Sequence, residues 1–208
     1  MPDFRDRQEF DAYYMADPPH PRAAGIMWPL IVERRVTALF DLAIRPDEQV
    51  KNQLFQPSGA LGSYGVKIQL AYLLGWLPKE TYDDLVTISK IRNRFAHVIE
   101  VKDFSDQKIA AWLQNLQGSR RLPEMIEQLR KEGHSGHLYT LERIAEEPLS
   151  NFQFCISQML YHLDRLGAHM KRNLESLPES WLMGQEKPVW SRGPAPSDDK
   201  SELPGKRK

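Results

Sequence analysis

One cysteine, Cys155, stands in a chain of 208 residues, so an internal disulfide and any cysteine-built zinc site are excluded. No apolar run approaches the roughly 20 residues needed to cross a bilayer. The opening Met1-Pro2-Asp3-Phe4-Arg5-Asp6 carries charge where a secretory leader needs an apolar stretch, and a cytoplasmic location is expected. Neither charge sign is in excess, with 28 Lys+Arg against 28 Asp+Glu, so there is no global pull on nucleic acid and only a local patch could supply one. No glycine-rich loop ends in Gly-Lys-Ser/Thr, which argues against ATP or GTP hydrolysis. Strand-like alternation and internal repeats are missing too. What is present is 41% apolar residues, enough for one buried core.

The apolar residues recur at helical steps. Residues 1–24, with Asp17-Pro18-Pro19-His20-Pro21, read as a flexible N-terminal arm, because closely spaced prolines do not propagate a helix. Leu30, Ile31, Leu39, Phe40 and Ala43 predict a first helix near 26–44. A loop with Pro57, Gly59, Gly62 and Gly65 follows. Val66, Leu70, Leu73 and Leu74, widened by Ile68, Ala71 and Tyr72, predict a central helix over 64–75 that stops at Gly75. Leu85, Ile88, Ile91 and Phe95 predict the next over 79–98, and Phe104-Ser105-Asp106 offers an N-cap for another over 105–117 that ends at Gly118. Across 118–147, Pro123, Gly133 and Gly136 break the period, predicting an inserted hairpin or lobe with one short helix near 123–131. Phe152, Ile156, Met159, Leu163, Leu166 and Met170 mark a long helix over 149–175. Residues 184–208 are almost free of apolar side chains and read as a disordered tail. The expected fold is therefore an all-α, up-and-down bundle of about five helices spanning 25–183, with one insertion.

Chemistry concentrates in Ile91-Arg92-Asn93-Arg94-Phe95-Ala96-His97. On a helix, Asn93 and His97 lie about 40° apart and Arg92 and His97 about 140° apart, flanking a groove. A guanidinium can hold a phosphate, an imidazole can move a proton, and an amide can orient either. As a set, Arg92, Asn93 and His97 could cleave a phosphodiester through a neighbouring 2′-hydroxyl without a metal; equally, they could fasten a helix end within the bundle. No cofactor or metal is expected. His134 and His137 have metal-like spacing but no cysteine or placed carboxylate beside them. His162 and His169 sit just off the apolar stripe of the long helix and read as boundary or surface residues. Cys155, among Phe152, Phe154 and Ile156, reads as a buried and inert thiol. Trp76, Trp112 and Trp181 have no interleaved Arg/Lys cluster and read as core or edge aromatics.

Several stretches carry a resemblance: Pro57-Ser58-Gly59-Ala60-Leu61-Gly62, Lys67-Ile68-Gln69-Leu70-Ala71-Tyr72-Leu73-Leu74-Gly75, and Tyr82-Asp83-Asp84-Leu85 leading into Ile91–His97. Together they resemble the mannitol operon repressor family, which implies an all-helical bacterial regulator without a recognised DNA-reading motif. Arg92, Asn93 and His97 also resemble the signature of HEPN domains, four-helix bundles that commonly dimerise and include metal-independent ribonucleases. The resemblance implies a homodimer with a protein partner or RNA at the groove, and makes direct sequence-specific DNA binding unexpected. In the ribonuclease alternative His97 is general acid or base, Arg92 steadies the transition state and Asn93 positions the imidazole. The remaining alternative is a structural interaction module with no catalytic site.

Overall fold

A proline in the first turn of a helix costs no hydrogen bond, because its missing N–H would have had no intrahelical partner. That is how the first helix, α1 (Pro21–Ala43), begins five residues earlier than the apolar period suggests, with His20 Nδ1 accepting from the Arg22 N–H. The computed structural model describes residues 20–44 and 47–176, and every regular element among them is helical. The arm before residue 20 and the tail after residue 176 lie outside the described residues. After α1 come α2 (Glu48–Phe55), α3 (Tyr64–Leu73), α4 (Lys79–His97), α5 (Gln107–Asn115), α6 (Gln117–Glu132), α7 (Ser135–Glu146) and α8 (Pro148–Ser176).

Local chemistry sets most boundaries. Asp47, Ser63 and Asp106 accept backbone N–H bonds at the starts of α2, α3 and α5. Gly75 (φ 72°) and Gly133 (φ 75°) take the left-handed conformation just past α3 and α6, where a Cβ would be strained. The turn between α5 and α6 is made by buried, extended Leu116 rather than by Gly118, which lies inside α6. There a Cβ would come within 2.8 Å of Cys155 Sγ, so Gly118 permits the close approach of α6 to α8. The segment 118–147 is indeed a hairpin, but of two full helices, α6 and α7, with Pro123 inside α6.

The long helix α8 packs along α1 and also meets α5, α6 and α7, while α1 packs on α3 and α4. Trp28 of α1 stacks on Phe152 of α8 with centroids 5.9 Å apart; Phe104 sits 4.9 Å from Phe152 and 4.9 Å from Phe95 of α4. Ile68, Leu85, Ile88, Ile91, Ile109 and Ile156 fill in around this aromatic chain. Gly25 faces the Phe95 ring so closely that no Cβ would fit, which is what brings α1 onto α4. The helix expected to be central, α3, is peripheral. It buries Tyr64, Lys67, Ile68 and Ala71 and leaves Val66, Leu73 and Leu74 exposed on its outer side. No helix among the described residues is long and apolar enough to cross a membrane.

Candidate functional site

The Arg92–His97 string occupies the last turns of α4. Ile91 and Phe95 anchor that end in the core, so Asn93 and His97, on the opposite side, are exposed. Arg92 projects between these two directions and is half-buried, with its Nε out of solvent and without a hydrogen-bond partner among the described residues. Its Nη1 donates to Asn93 Oδ1 at 3.0 Å. The structure therefore joins Asn93 to Arg92; among the described residues no hydrogen bond joins Asn93 to His97. The guanidinium is oriented by its neighbour, keeps donors to spare, and shares an open helix end with the imidazole. Chemically, that set can receive a phosphate or a carboxylate.

Two supports that spacing alone does not reveal hold this end of α4 in place. Arg22 Nη1 donates to the carbonyls of Val98 (3.3 Å), Ile99 (3.0 Å) and Val101 (2.8 Å), tying the start of α1 to the segment that leaves α4. Arg94, inside the string, turns the other way and forms a two-pronged pair with Asp106, Nε to Oδ1 and Nη2 to Oδ2 both at 2.6 Å. Asp106 also caps α5 through the Lys108 and Ile109 N–H groups. The Arg94 bond first, and these N–H bonds with it, hold the Asp106 carboxyl down to about 2, while the same bond raises Arg94. Arg94 is thus a strut. The only sequence signal for it is the N-cap reading of Phe104-Ser105-Asp106, which says nothing of a cation twelve residues before Asp106.

A second concave feature lies elsewhere, where the start of α4, the start of α6 and the middle of α8 meet. It is a cleft of about 480 Å³ whose inner wall includes Thr81, Asp84 and Cys155. Both Asp84 oxygens lie 3.2 Å from the Gln117 N–H, so a buried carboxyl caps α6 from another helix. Burial pushes Asp84 up to about 6, with the Gln117 bond and Arg121 and Arg120 opposing and Asp83 assisting. Burial likewise raises the Cys155 thiol to about 11, against a bond with Ser119. Cys155 is buried as expected and is a poor nucleophile. His162 is lowered by partial burial and by Arg121 and Arg165. No group of three or more His, Cys, Asp or Glu suited to a metal ion occurs among the described residues; His134 and His137 fall at the start of α7.

Fold and site together define a class: an all-helical bundle protein with an exposed Arg-Asn-His helix end braced by two arginine clamps. The chain belongs to the mannitol repressor family, whose model matches residues 30–163, more than half of the 208. The matched span contains Arg92, Asn93 and His97 as well as every residue lining the cleft. No curated protein matches the chain.

Proposed function

We propose that this protein regulates transcription of the mannitol-operon type through protein contacts made in the cytoplasm by the outer face of α3 and the open end of α4. The observation carrying this reading is an apolar stripe: Val66 and Leu73 on α3 and Leu74 capping its end are 39%, 78% and 50% exposed. The helix lies beside α4, with Tyr72 of one against Tyr82 of the other at 4.6 Å. Exposed apolar side chains in a row favour a protein partner over a nucleic acid, whose binding face needs concentrated positive charge. The balanced charge of the chain points the same way. Arg92, Asn93 and His97 then supply the polar part of the contact, and the partner at the stripe includes a second copy of the chain. The test is a reporter fused to the regulated operon. Deleting the gene should raise expression, the wild-type chain should restore repression, and Leu73→Asp with Leu74→Asp should not, although the folded protein accumulates. Repression by the double variant would overturn the reading.

A second reading is favoured by the unpartnered Nε of Arg92 next to the exposed Asn93 and His97. It is metal-independent RNA cleavage, with His97 moving the proton and Arg92 meeting the phosphate. Under it, purified protein cuts single-stranded RNA in EDTA, and His97→Ala abolishes the cut with the melting temperature unchanged. Intact RNA, or cutting that survives His97→Ala, eliminates it.

A further inference from the structure

We infer that the segment 177–183 crosses the end of α1 and seats Trp181 and Leu182 on the exposed side of α2. Three observations carry this: a short helix with one side uncovered, the place where the chain leaves α8, and the sequence that follows. None involves the outer face of α3.

The helix α2 has eight residues and buries none of them. A helix that short is not stable in water by itself, so it depends on what packs against it. One side is anchored. Lys51 Nζ lies 2.9 Å from Asp41 at the end of α1, and the Phe55 ring meets Phe40 edge-on at 5.7 Å. Beyond the helix, the Leu61 N–H donates back to the Leu54 carbonyl at 2.8 Å. About 100° round the axis from Lys51 and Phe55, Val50 and Leu54 stand one turn apart and are 50% and 37% exposed. An aligned apolar pair on a helix with no buried residue marks a side that another segment covers.

The course of α8 says which segment. It runs parallel to α1, with Phe152 stacked on Trp28 near the start and Gly167 against Leu39 and Leu42 near the end. From Gly167 it continues nine residues to Ser176, about 13 Å, whereas α1 stops at Ala43, about 6 Å beyond Leu39. The chain therefore leaves α8 past the end of α1, the same end to which Lys51 and Phe55 fasten α2. Pro178 disfavours further helix at that point. Trp181-Leu182-Met183 follows, with Trp181 five residues beyond Ser176, a reach of about 17 Å when extended. Neighbouring helices lie about 10 Å apart, so the span across α1 is within reach. Tryptophan and leucine are the side chains that gain most from covering an apolar pair. The N-terminal arm joins α1 at Pro21, at the opposite end of a helix about 34 Å long, and starts far from this face.

The experiment has two arms, both on the full chain at low micromolar concentration. In the first, amide exchange is compared between wild type and Trp181→Ser with Leu182→Ser, changes outside the described core. Exchange at residues 50–56 should rise tenfold or more, with residues 85–95 unchanged. In the second, mild oxidation is applied to Val50→Cys with Leu182→Cys, and to Lys102→Cys with Leu182→Cys as comparison. Cys155 is buried and does not compete. Lys102 is exposed next to the carbonyls that Arg22 holds, at the far end of α1. The first pair should close within one chain and the second should not. Unchanged exchange in α2, or failure of the first pair to close, overturns the inference. Cross-links formed only between chains would give the face to a second copy, and equal closure of both pairs would show a segment with no fixed seat; each of these also overturns it. Repression is not the readout, so the result is independent of the reporter test.

Discussion

A carboxyl that stays protonated to about pH 6 in the folded chain makes stability depend on pH with an unusual sign. Asp84 ordinarily titrates near 3.8 and is raised to about 6 by burial. The folded state therefore binds its proton more tightly than the unfolded state does. The stabilisation from this group is full below 3.8, declines as pH rises through the interval, and is gone above about 6. A change of that size in proton affinity corresponds to about 2–3 kcal/mol. Asp84→Asn keeps an oxygen for the Gln117 N–H and removes the buried charge. It should flatten the fall in urea-unfolding free energy between pH 4 and pH 6 and leave the variant more stable than wild type by about 2 kcal/mol at neutral pH. An unchanged pH slope would show that Asp84 is solvated. Asp106 has the opposite sign: held down by Arg94, it contributes stability above its ordinary range that is lost only as pH falls toward 2. At this scale the sequence was readable where chemistry is local. Periodicity places Arg92, Asn93 and His97 on one helix, Phe104-Ser105-Asp106 carries a cap signal that the structure narrows to Asp106, and Cys155 reads as buried. The Asp84–Gln117 bond and the cleft were not readable, because they join residues from three helices whose relative placement no spacing encodes.

Among the elements, the open end of α4 is held by partners far away in the chain. Arg22 precedes the carbonyls it binds by 76 to 79 residues. Those carbonyls leave the C-terminal end of α4, where the helix dipole places partial negative charge, so a guanidinium is favoured there on two grounds. Arg22→Ala should cost about 1–2 kcal/mol. Its more specific sign would be faster amide exchange at residues 98–104, with little change in α8. Exchange rising equally across the whole chain would mean that Arg22 supports global stability instead of bracing the site. The same reasoning accounts for what periodicity missed. The short α2 buries no residue, so it left no apolar pattern to find. Within α6 and α7, Pro123 and Gly118 read as breakers. Yet Gly118 is needed for contact with α8, and Pro123 falls within a helix that the packing of the hairpin sustains. Helices with one strong apolar face, α4 and α8, were found nearly end to end.

For the molecule as a whole, the instructive misreading is α3. Its apolar residues surround the helix, and periodicity assigned them all to one core; the bundle buries only the side bearing Ile68 and Ala71 and leaves Leu73 and Leu74 outside. A row of large apolar side chains facing water costs stability in a monomer and is relieved when a partner covers it. If the partner is a second copy, a two-fold axis brings the same stripe from both chains together, so each substitution acts twice. Burying each leucine contributes about 1.5–3 kcal/mol, and four of them across the axis would dominate the association. Sedimentation velocity at micromolar concentration should therefore show wild type as a dimer and Leu73→Asp with Leu74→Asp as a monomer. Because neither side chain belongs to the core, the melting temperature of the variant measured at high dilution should stay within about 2 °C of wild type. A monomeric wild type would exclude a second copy as the occupant of the stripe, and a dimer that survives both aspartates would place the two-fold axis on another face.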